Sequence, residues 1–480
     1  MTETNHTPYD IIVIGAGSGG LSVAIPMQKF GFRVLLIDKT DHAIGGECLN
    51  DGCVPSKALI HVARQVHQAR QATAFGLQVS GAVNLAQVMA YVKNRQDEIR
   101  DHENATYFRQ EGMDVALGTA RFTGKNQVAV DGKVYHGKKI VIATGSRPRR
   151  LEIPGVEGVR YLTNQNLFHL EEVPGKLLVV GGGPLGIEMA QAFRRLGSEV
   201  TVVHSKAMIL ENEAPEIASV LSERLRAEGI RFHLESEAHA FPDPHHLVIK
   251  KEDGQQITLP FDQVLVGIGR ELNYEELDLD QAGIATGKHG LVVNEYLQTT
   301  NADVYVCGDI AGSLKFSHAA EQQATILLNN FLSPLKKKLD NTHMSWVTFT
   351  DPEVATFGAS EGQLQDKGAD YEKLTLDFTE DDRAVVEDYQ YGRLVLYIEK
   401  GSLLNRNPKL LGGSMVAPGA GEMFQELVLA HTQGLGINAL FDKIYAYPTA
   451  SAVNKRIVLH KKEEQLTGLV KKGLHLLYKI

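Results

Sequence analysis

Cysteine is scarce in this chain: Cys48, Cys53 and Cys307 are the three thiols in 480 residues. A secreted protein stapled by disulfides carries many more, so any disulfide here is expected to be catalytic rather than structural. No metal site is expected either, because neither a further cysteine nor a close histidine completes a zinc ligand set around Cys48 and Cys53. Positive charge is also in deficit. A net charge of −9 excludes a broad nucleic-acid footprint and gives the protein as a whole no pull toward anionic membranes. Long apolar runs are lacking. The uncharged stretch from Ile11 to Met27 is too short and too glycine-rich for a comfortable membrane span, and the residues before it are polar and mildly acidic. A soluble, cytoplasmic protein is the expectation.

What is present is a globular composition, 43% hydrophobic and 22% charged, in a chain long enough for two to four domains. Two strand-glycine-helix openings stand far apart. The first, "YDIIVIGAGSGGLSVAI", places glycines at Gly15, Gly17 and Gly20, and its next strand, "FRVLLID", ends at Asp38. The second, "KLLVVGGGPLGIEMAQAF", has Gly181, Gly183 and Gly186, and its next strand, "EVTVVH", ends at His204. Glycines at this spacing let the backbone approach a pyrophosphate, whose charge then lies at a helix N-terminus. One such motif also occurs as an ordinary tight turn. Two in one chain favour dinucleotide binding twice over.

The segment "GGECLNDGCVPSKALIHVARQV" separates Cys48 and Cys53 by four residues, with Gly46 and Gly52 nearby. Pro55 marks a helix start there, where proline is tolerated. A cysteine at a helix N-terminus feels the positive end of the dipole, which favours the thiolate. Lys57, four residues after Cys53, projects from the same helix face. Two inert buried thiols are the bland alternative; a redox pair fits the placement better. Elsewhere, Leu85 to Gln110 reads as a charged helical stretch, and "RLVLYIE" and "KLLGGSMVA" read as strands before helices around "AGEMFQELVLAHTQG".

These motifs together resemble the pyridine nucleotide–disulfide oxidoreductases, from Tyr9 to about Leu459. "VIATGSRPR" (Thr144, Gly145), "VGIGRELN" (Gly269, Arg270) and "TTNADVYVCGDIAG" (Gly308, Asp309) resemble the family's later cofactor segments, although Leu272 stands where proline is usual. "VTFTDPEVATFG" and "AGEM" are similar to its dimerisation domain. The resemblance implies an α/β fold: two doubly wound, Rossmann-like nucleotide-binding domains plus a C-terminal α+β dimerisation domain. The corresponding layout is an FAD-binding domain over 8–152, an NAD(P)-binding domain over 153–274, a return to the FAD-binding domain over 275–343, the dimerisation domain over 344–460, and a tail over 461–480. It further implies FAD on the first motif, with Asp38 and Lys39 at the adenosine ribose and Asp309 at the ribityl chain. Cys53 becomes the sulfur nearest the flavin, Cys48 the sulfur that attacks substrate, and Lys57 with Glu188 an ion pair beside the flavin. Electrons run from nicotinamide through flavin to the Cys48–Cys53 disulfide, a task in cell redox homeostasis, in a homodimer. Cys307 reads as a packed core thiol.

The pattern breaks at one place. Disulfide-reducing members end with a histidine before proline and a glutamate that orients it; here the segment reads "IYAYPTASAVNKR", with Tyr447 and Ala452 at those positions. Tyrosine titrates near 10 and is a poor proton shuttle at neutral pH. Mercuric reductases also carry tyrosine there, but the last residues, "GLHLLYKI", lack vicinal cysteines. The leading expectation is a mercuric reductase-like enzyme with a small-molecule or metal-ion acceptor, Tyr447 of the second subunit completing the site. The alternatives are packing alone for Tyr447, a true disulfide reductase drawing on His318 or His431, and a non-catalytic FAD-binding redox sensor. At the end of the second nucleotide strand, His204, Ser205 and Lys206 offer no acid, so NADPH is expected over NADH. In the tail, Leu466, Leu469, Val470, Leu474 and Leu477 form one stripe opposite lysines. That stripe reads as a helix docked on the protein or its twin, with a membrane-surface helix as the sharper alternative.

Overall fold

The computed structural model describes residues 7–401, 407–464, 466 and 468–478. The fold is built around two parallel sheets and one antiparallel sheet. In the first, Val34–Asp38, Tyr9–Ile14 and Lys133–Ile142 lie side by side in parallel, flanked by Asp114–Leu117 and by Val304–Val306. Ile11, Ile12, Val13 and Ile14 are all buried. A parallel strand covered on both faces reads as a continuous apolar run, which is why this stretch mimics a membrane segment in hydropathy. Among the described residues, no helix is long and apolar enough to cross a membrane.

The second parallel sheet orders Arg231–His233, Glu199–Val203, Lys176–Val180 and Gln263–Val266. The third sheet is antiparallel: Ser345–Thr348, Glu353–Gly358, Leu410–Ala417, Arg393–Glu399 and Tyr371–Asp377. Its strands alternate faces, as a pleat requires. Ala355, Leu394, Leu396 and Met415 pack with the C-terminal helices, while Val354, Val395 and Val416 pack with the second parallel unit and the Cys53 helix. That second face brings the strand Ser345–Thr348 to the edge of a deep cleft.

One local expectation is corrected. Leu85–Gln110 is two helices, Leu85–Arg100 and Ala105–Gln110. Asn104 divides them: its side chain accepts from Tyr107 N–H as an N-cap and donates to the Arg100 carbonyl at 2.8 Å. The "AGEMFQELVLAHTQG" stretch forms helices as expected, Ala420–Met423 and Gln425–Thr432, which meet at buried Phe424. The tail forms a helix, Gly468–Tyr478, whose described side chains are exposed in the single chain. The Leu469 side chain lies outside the described residues.

Candidate active site

The cleft has a volume of about 1350 Å³ and is lined by all three sheet units. Its first wall is the turn from Tyr9–Ile14 into the helix Ser18–Lys29. Gly15 has φ +103°, and a Cβ there would lie 2.3 Å from the Ala143 carbonyl oxygen, so glycine is required. Gly17 and Gly46 cross so closely that a Cβ on Gly46 would reach the Gly17 Cα at 2.5 Å. Asp38 ends the next strand; its carboxylate accepts from Ala16 N–H and from Lys39 N–H, each at 2.6 Å. Burial nevertheless holds the Asp38 carboxyl above its ordinary range. Lys39 pairs with Glu276 at 2.6 Å.

Further along, Thr144 Oγ1 donates to the Asn273 carbonyl at 2.5 Å, and Ser146 Oγ donates to Asp309 at 2.5 Å. Arg270 lies 3.5 Å from Asp309 and forms an ion pair with Glu47. Gly145, Gly308 and Asp309 line the same cleft; Gly20 and Gly269 do not. A narrow glycine cradle, a strand-end acid and a long polar-edged cleft suit an extended dinucleotide, so these residues fit FAD.

At the cleft's centre, Cys48 sits in a short helix, Gly46–Asn50, and Cys53 is the first residue of the helix Cys53–Gln71. All three cysteines are free thiols. Cys53 Sγ lies 3.5 Å from Ser317 Oγ, and Ser317 opens a second helix, Ser317–Leu332. Two helix N-termini therefore converge on one sulfur. The Cys48 thiol beside it, then Ser317 and Lys57, lower Cys53 to about 5 against its burial. Cys48 is pushed up, first because its proton is shared with Cys53. The arrangement is a thiolate held by a thiol. Lys57 Nζ pairs with Glu188 at 2.8 Å, and Glu188 also accepts from Phe349 N–H at 2.8 Å. The Lys57 ammonium stands 4.5 Å from the Phe349 ring centroid.

Other expected residues lie apart. Gly181, Gly183, Gly186, His204, Ser205 and Lys206 form a second, separate turn outside the main cleft. His204 Nδ1 accepts from Gly182 N–H at 3.1 Å, while its Nε2 is buried without a partner. Tyr447 does not line the cleft of its own chain; it is 82% exposed and its hydroxyl donates to Asp382 at 3.0 Å. That bond holds the phenol above its ordinary range. His431 is outside the cleft, its nitrogens facing the Leu410 and Thr342 carbonyls. His318 is in the cleft, with Nε2 2.6 Å from the Ser345 carbonyl and its ring stacked on Phe316. Cys307 is buried beside Gly19, just past the strand Val304–Val306, and burial lifts its thiol to about 12.

Sequence reasoning missed Ser317, Trp346 and Glu47. Ser317 stands in "FSHAAEQQA", which resembles a family segment beside the flavin, but its contact with Cys53 shows only in the fold. Trp346 carries no local motif; Glu47 adjoins Cys48, and only its pairing with Arg270 reveals its part.

Comparison with known proteins agrees with this geometry. Residues 9–324 match the pyridine nucleotide-disulphide oxidoreductase family, and residues 344–457 match that family's dimerisation domain. Mercuric reductase from Staphylococcus aureus is 33% identical over 92% of this chain and 80% of its own length. Dihydrolipoyl dehydrogenase from Chlamydia trachomatis serovar D is 32% identical over 93% and 95% respectively. Among solved structures, the HOCl-induced flavoprotein disulfide reductase RclA from Escherichia coli is 27% identical, covering 94% of this chain and 98% of that one, with a TM-score of 0.81. Its Cu(II) complex is 26% identical over 94% and 99%, with a TM-score of 0.82. The chain belongs to the pyridine nucleotide-disulphide oxidoreductases: it is an FAD-dependent enzyme with NAD(P)H as electron donor and a redox-active disulfide.

Proposed function

We propose that this enzyme draws electrons from NADPH in preference to NADH and delivers them, through the Cys48–Cys53 pair, to a soft metal ion. The single observation that carries the acceptor is that the described cleft residues include no unengaged imidazole. His318 is the one imidazole among the described cleft residues, and its Nε2 is engaged by the Ser345 carbonyl. A disulfide substrate needs a proton accepted from the attacking thiol and later returned to the leaving thiol. A soft cation displaces the thiol proton on binding and needs no such relay. Mercuric reductases among the relatives and the Cu(II) complex of RclA support this class of acceptor.

FAD, when bound, supplies hydride acceptance and two-electron transfer to the disulfide. The chain's own residues do the rest. Gly15, Gly17 and Gly46 admit the cofactor's pyrophosphate, Gly20 lets the helix lie close against the Gly15 carbonyl, and Asp38 accepts from the ribose. Thr144, Gly145, Gly308 and Asp309 line the remainder of the cleft. Cys53 is the sulfur kept as thiolate and Cys48 the sulfur that meets the acceptor. Lys57 is held by Glu188 in this site, where its charge favours the Cys53 thiolate. On the second turn, Gly181, Gly183 and Gly186 receive the nicotinamide nucleotide. His204, Ser205 and Lys206 meet its adenosine ribose, where a neutral and cationic set accommodates a 2′-phosphate that a carboxylate would repel. In the homodimer, Tyr447 of each chain borders the acceptor side of the other chain's site.

Anaerobic NADPH oxidation with Hg(II), Cu(II), lipoamide and glutathione disulfide tests the acceptor, on wild type and Cys48→Ser. Metal-dependent turnover that disappears in Cys48→Ser is expected. Faster turnover of lipoamide or glutathione disulfide than of either metal refutes it.

A further inference from the structure

Glu213 is 7% exposed, and its carboxylate is satisfied by neutral donors. Trp346 Nε1–H donates to one oxygen at 2.6 Å. Thr356 Oγ1–H meets the other, and Thr356 in turn lies 2.7 Å from Ser414 Oγ. Of the other buried charges, Glu188, Arg195 and Lys461 each pair with an opposite charge, and Asp381 accepts from Ala384 N–H as a helix cap. Burial holds the Glu213 carboxyl above its ordinary range. An acid buried among neutral groups is costly, and an apolar residue of similar volume would pack there without that cost. The position calls for an account beyond packing.

Its neighbours supply one. Glu213 ends the segment that opens with His204, Ser205 and Lys206. That segment is tied to the second glycine turn from both sides. Gly182 N–H donates to His204 Nδ1 at 3.1 Å, and Leu210 N–H donates to the Gly182 carbonyl at 2.9 Å. Glu213 N–H then donates to the Leu210 carbonyl at 2.8 Å. At the other end, Trp346 lines the redox cleft with Val347 and Phe349. Its indole lies parallel to Phe316, with centroids 6.2 Å apart and an interplanar angle of 6°. Phe316 adjoins Ser317, whose hydroxyl faces Cys53.

We propose that Glu213 is a positioning residue: through Trp346 it fixes the Ser345–Phe349 wall of the redox cleft to the turn that receives the nicotinamide nucleotide. It acts by accepting from Trp346 Nε1–H; glutamine keeps that acceptor, and its amide N–H donates to Thr356 Oγ1, whose hydroxyl then donates to Ser414. Nucleotide arriving at His204–Lys206 is thereby felt at Trp346, the single tryptophan of the chain.

That tryptophan makes the test direct. The FAD-loaded enzyme is titrated with NADP⁺ and with NAD⁺ while indole emission is followed. Flavin reduction by NADPH is then timed anaerobically in wild type, Glu213→Ala, Glu213→Gln and Trp346→Phe. Nucleotide is expected to change wild-type emission and to leave Glu213→Ala unchanged. Flavin reduction should slow about tenfold in Glu213→Ala and Trp346→Phe, with nucleotide affinity within about twofold of wild type. Glu213→Gln should stay within about threefold of wild type in rate. A Glu213→Ala enzyme that reduces at the wild-type rate overturns the proposal, as does a Glu213→Gln enzyme as slow as the alanine variant. If the alanine variant fails to fold, Trp346→Phe reducing at the wild-type rate does the same. The inference rests on the nucleotide reading above. Because both nucleotides are titrated, a wrong preference changes which one elicits the response and leaves the Glu213 comparison intact.

Discussion

The two glycine turns are nearly the same object in backbone and differ at one side chain. Gly15 and Gly181 have φ +103° and +119°, and a Cβ on either would strike a carbonyl oxygen, at 2.3 and 2.2 Å. In each turn the next residue's N–H is capped from the end of the second strand. Asp38 accepts from Ala16 at 2.6 Å, and His204 accepts from Gly182 at 3.1 Å. The imidazole therefore does the acid's structural work without its charge. Backbone conformation makes a turn able to hold a pyrophosphate; the strand-end side chain decides which adenosine end is welcome.

The first turn faces the sulfur pair and the second does not, so the largest expected effect separates them. Cys53→Ser should cut acceptor turnover about a thousandfold or more while nucleotide still binds, because loss of one sulfur from a pair that acts as a unit is rarely compensated. Retention of a tenth of wild-type turnover would detach the chemistry from the first half. Asp38→Asn should weaken FAD retention by about 10- to 100-fold, from loss of charged hydrogen bonds worth about 1.5–3 kcal/mol. His204→Ala should leave FAD content unchanged. Equal FAD loss in both variants would erase the distinction between the turns.

His204→Glu sharpens the comparison by making the second turn copy the first. The ratio of kcat/KM for NADPH to that for NADH should fall about tenfold or more. A clear NADH preference in the unaltered enzyme would end the phosphate reading outright. A subtler change concerns the thiolate. With Cys53 lowered to about 5, the long-wavelength thiolate–flavin absorbance of the two-electron-reduced enzyme should be full at neutral pH. It should fade as pH falls through about 5, since protonation then removes the charge. Ser317→Ala removes a donor to that thiolate, so the fade should move to higher pH; Ser317→Thr should restore it. Tyr447→Phe should be the mildest, changing metal-dependent turnover less than about threefold, because a phenol held up by Asp382 is a poor proton shuttle.

Much of this was readable from the chain. Both glycine turns, the cysteine pair at a helix start and Lys57 one turn on are local motifs with local physics. The break at Asn104 was not, because a capping asparagine looks like an ordinary polar residue until its backbone leaves the helix. The tail's apolar stripe predicted a helix correctly; amphipathicity specifies a face and not what covers it. Trp346 and Glu213 carry no motif at all.

By itself, the order of residues determined where the glycines of the two turns must stand and that a cysteine opens the helix Cys53–Gln71. Each of those depends on neighbours a few positions away. The tertiary structure alone decided what surrounds the Cys53 sulfur: a serine 264 positions later and a lysine steadied by an acid 131 positions beyond it. Hydrogen bonds act over about 3 Å, so only folding can turn such separations into chemistry.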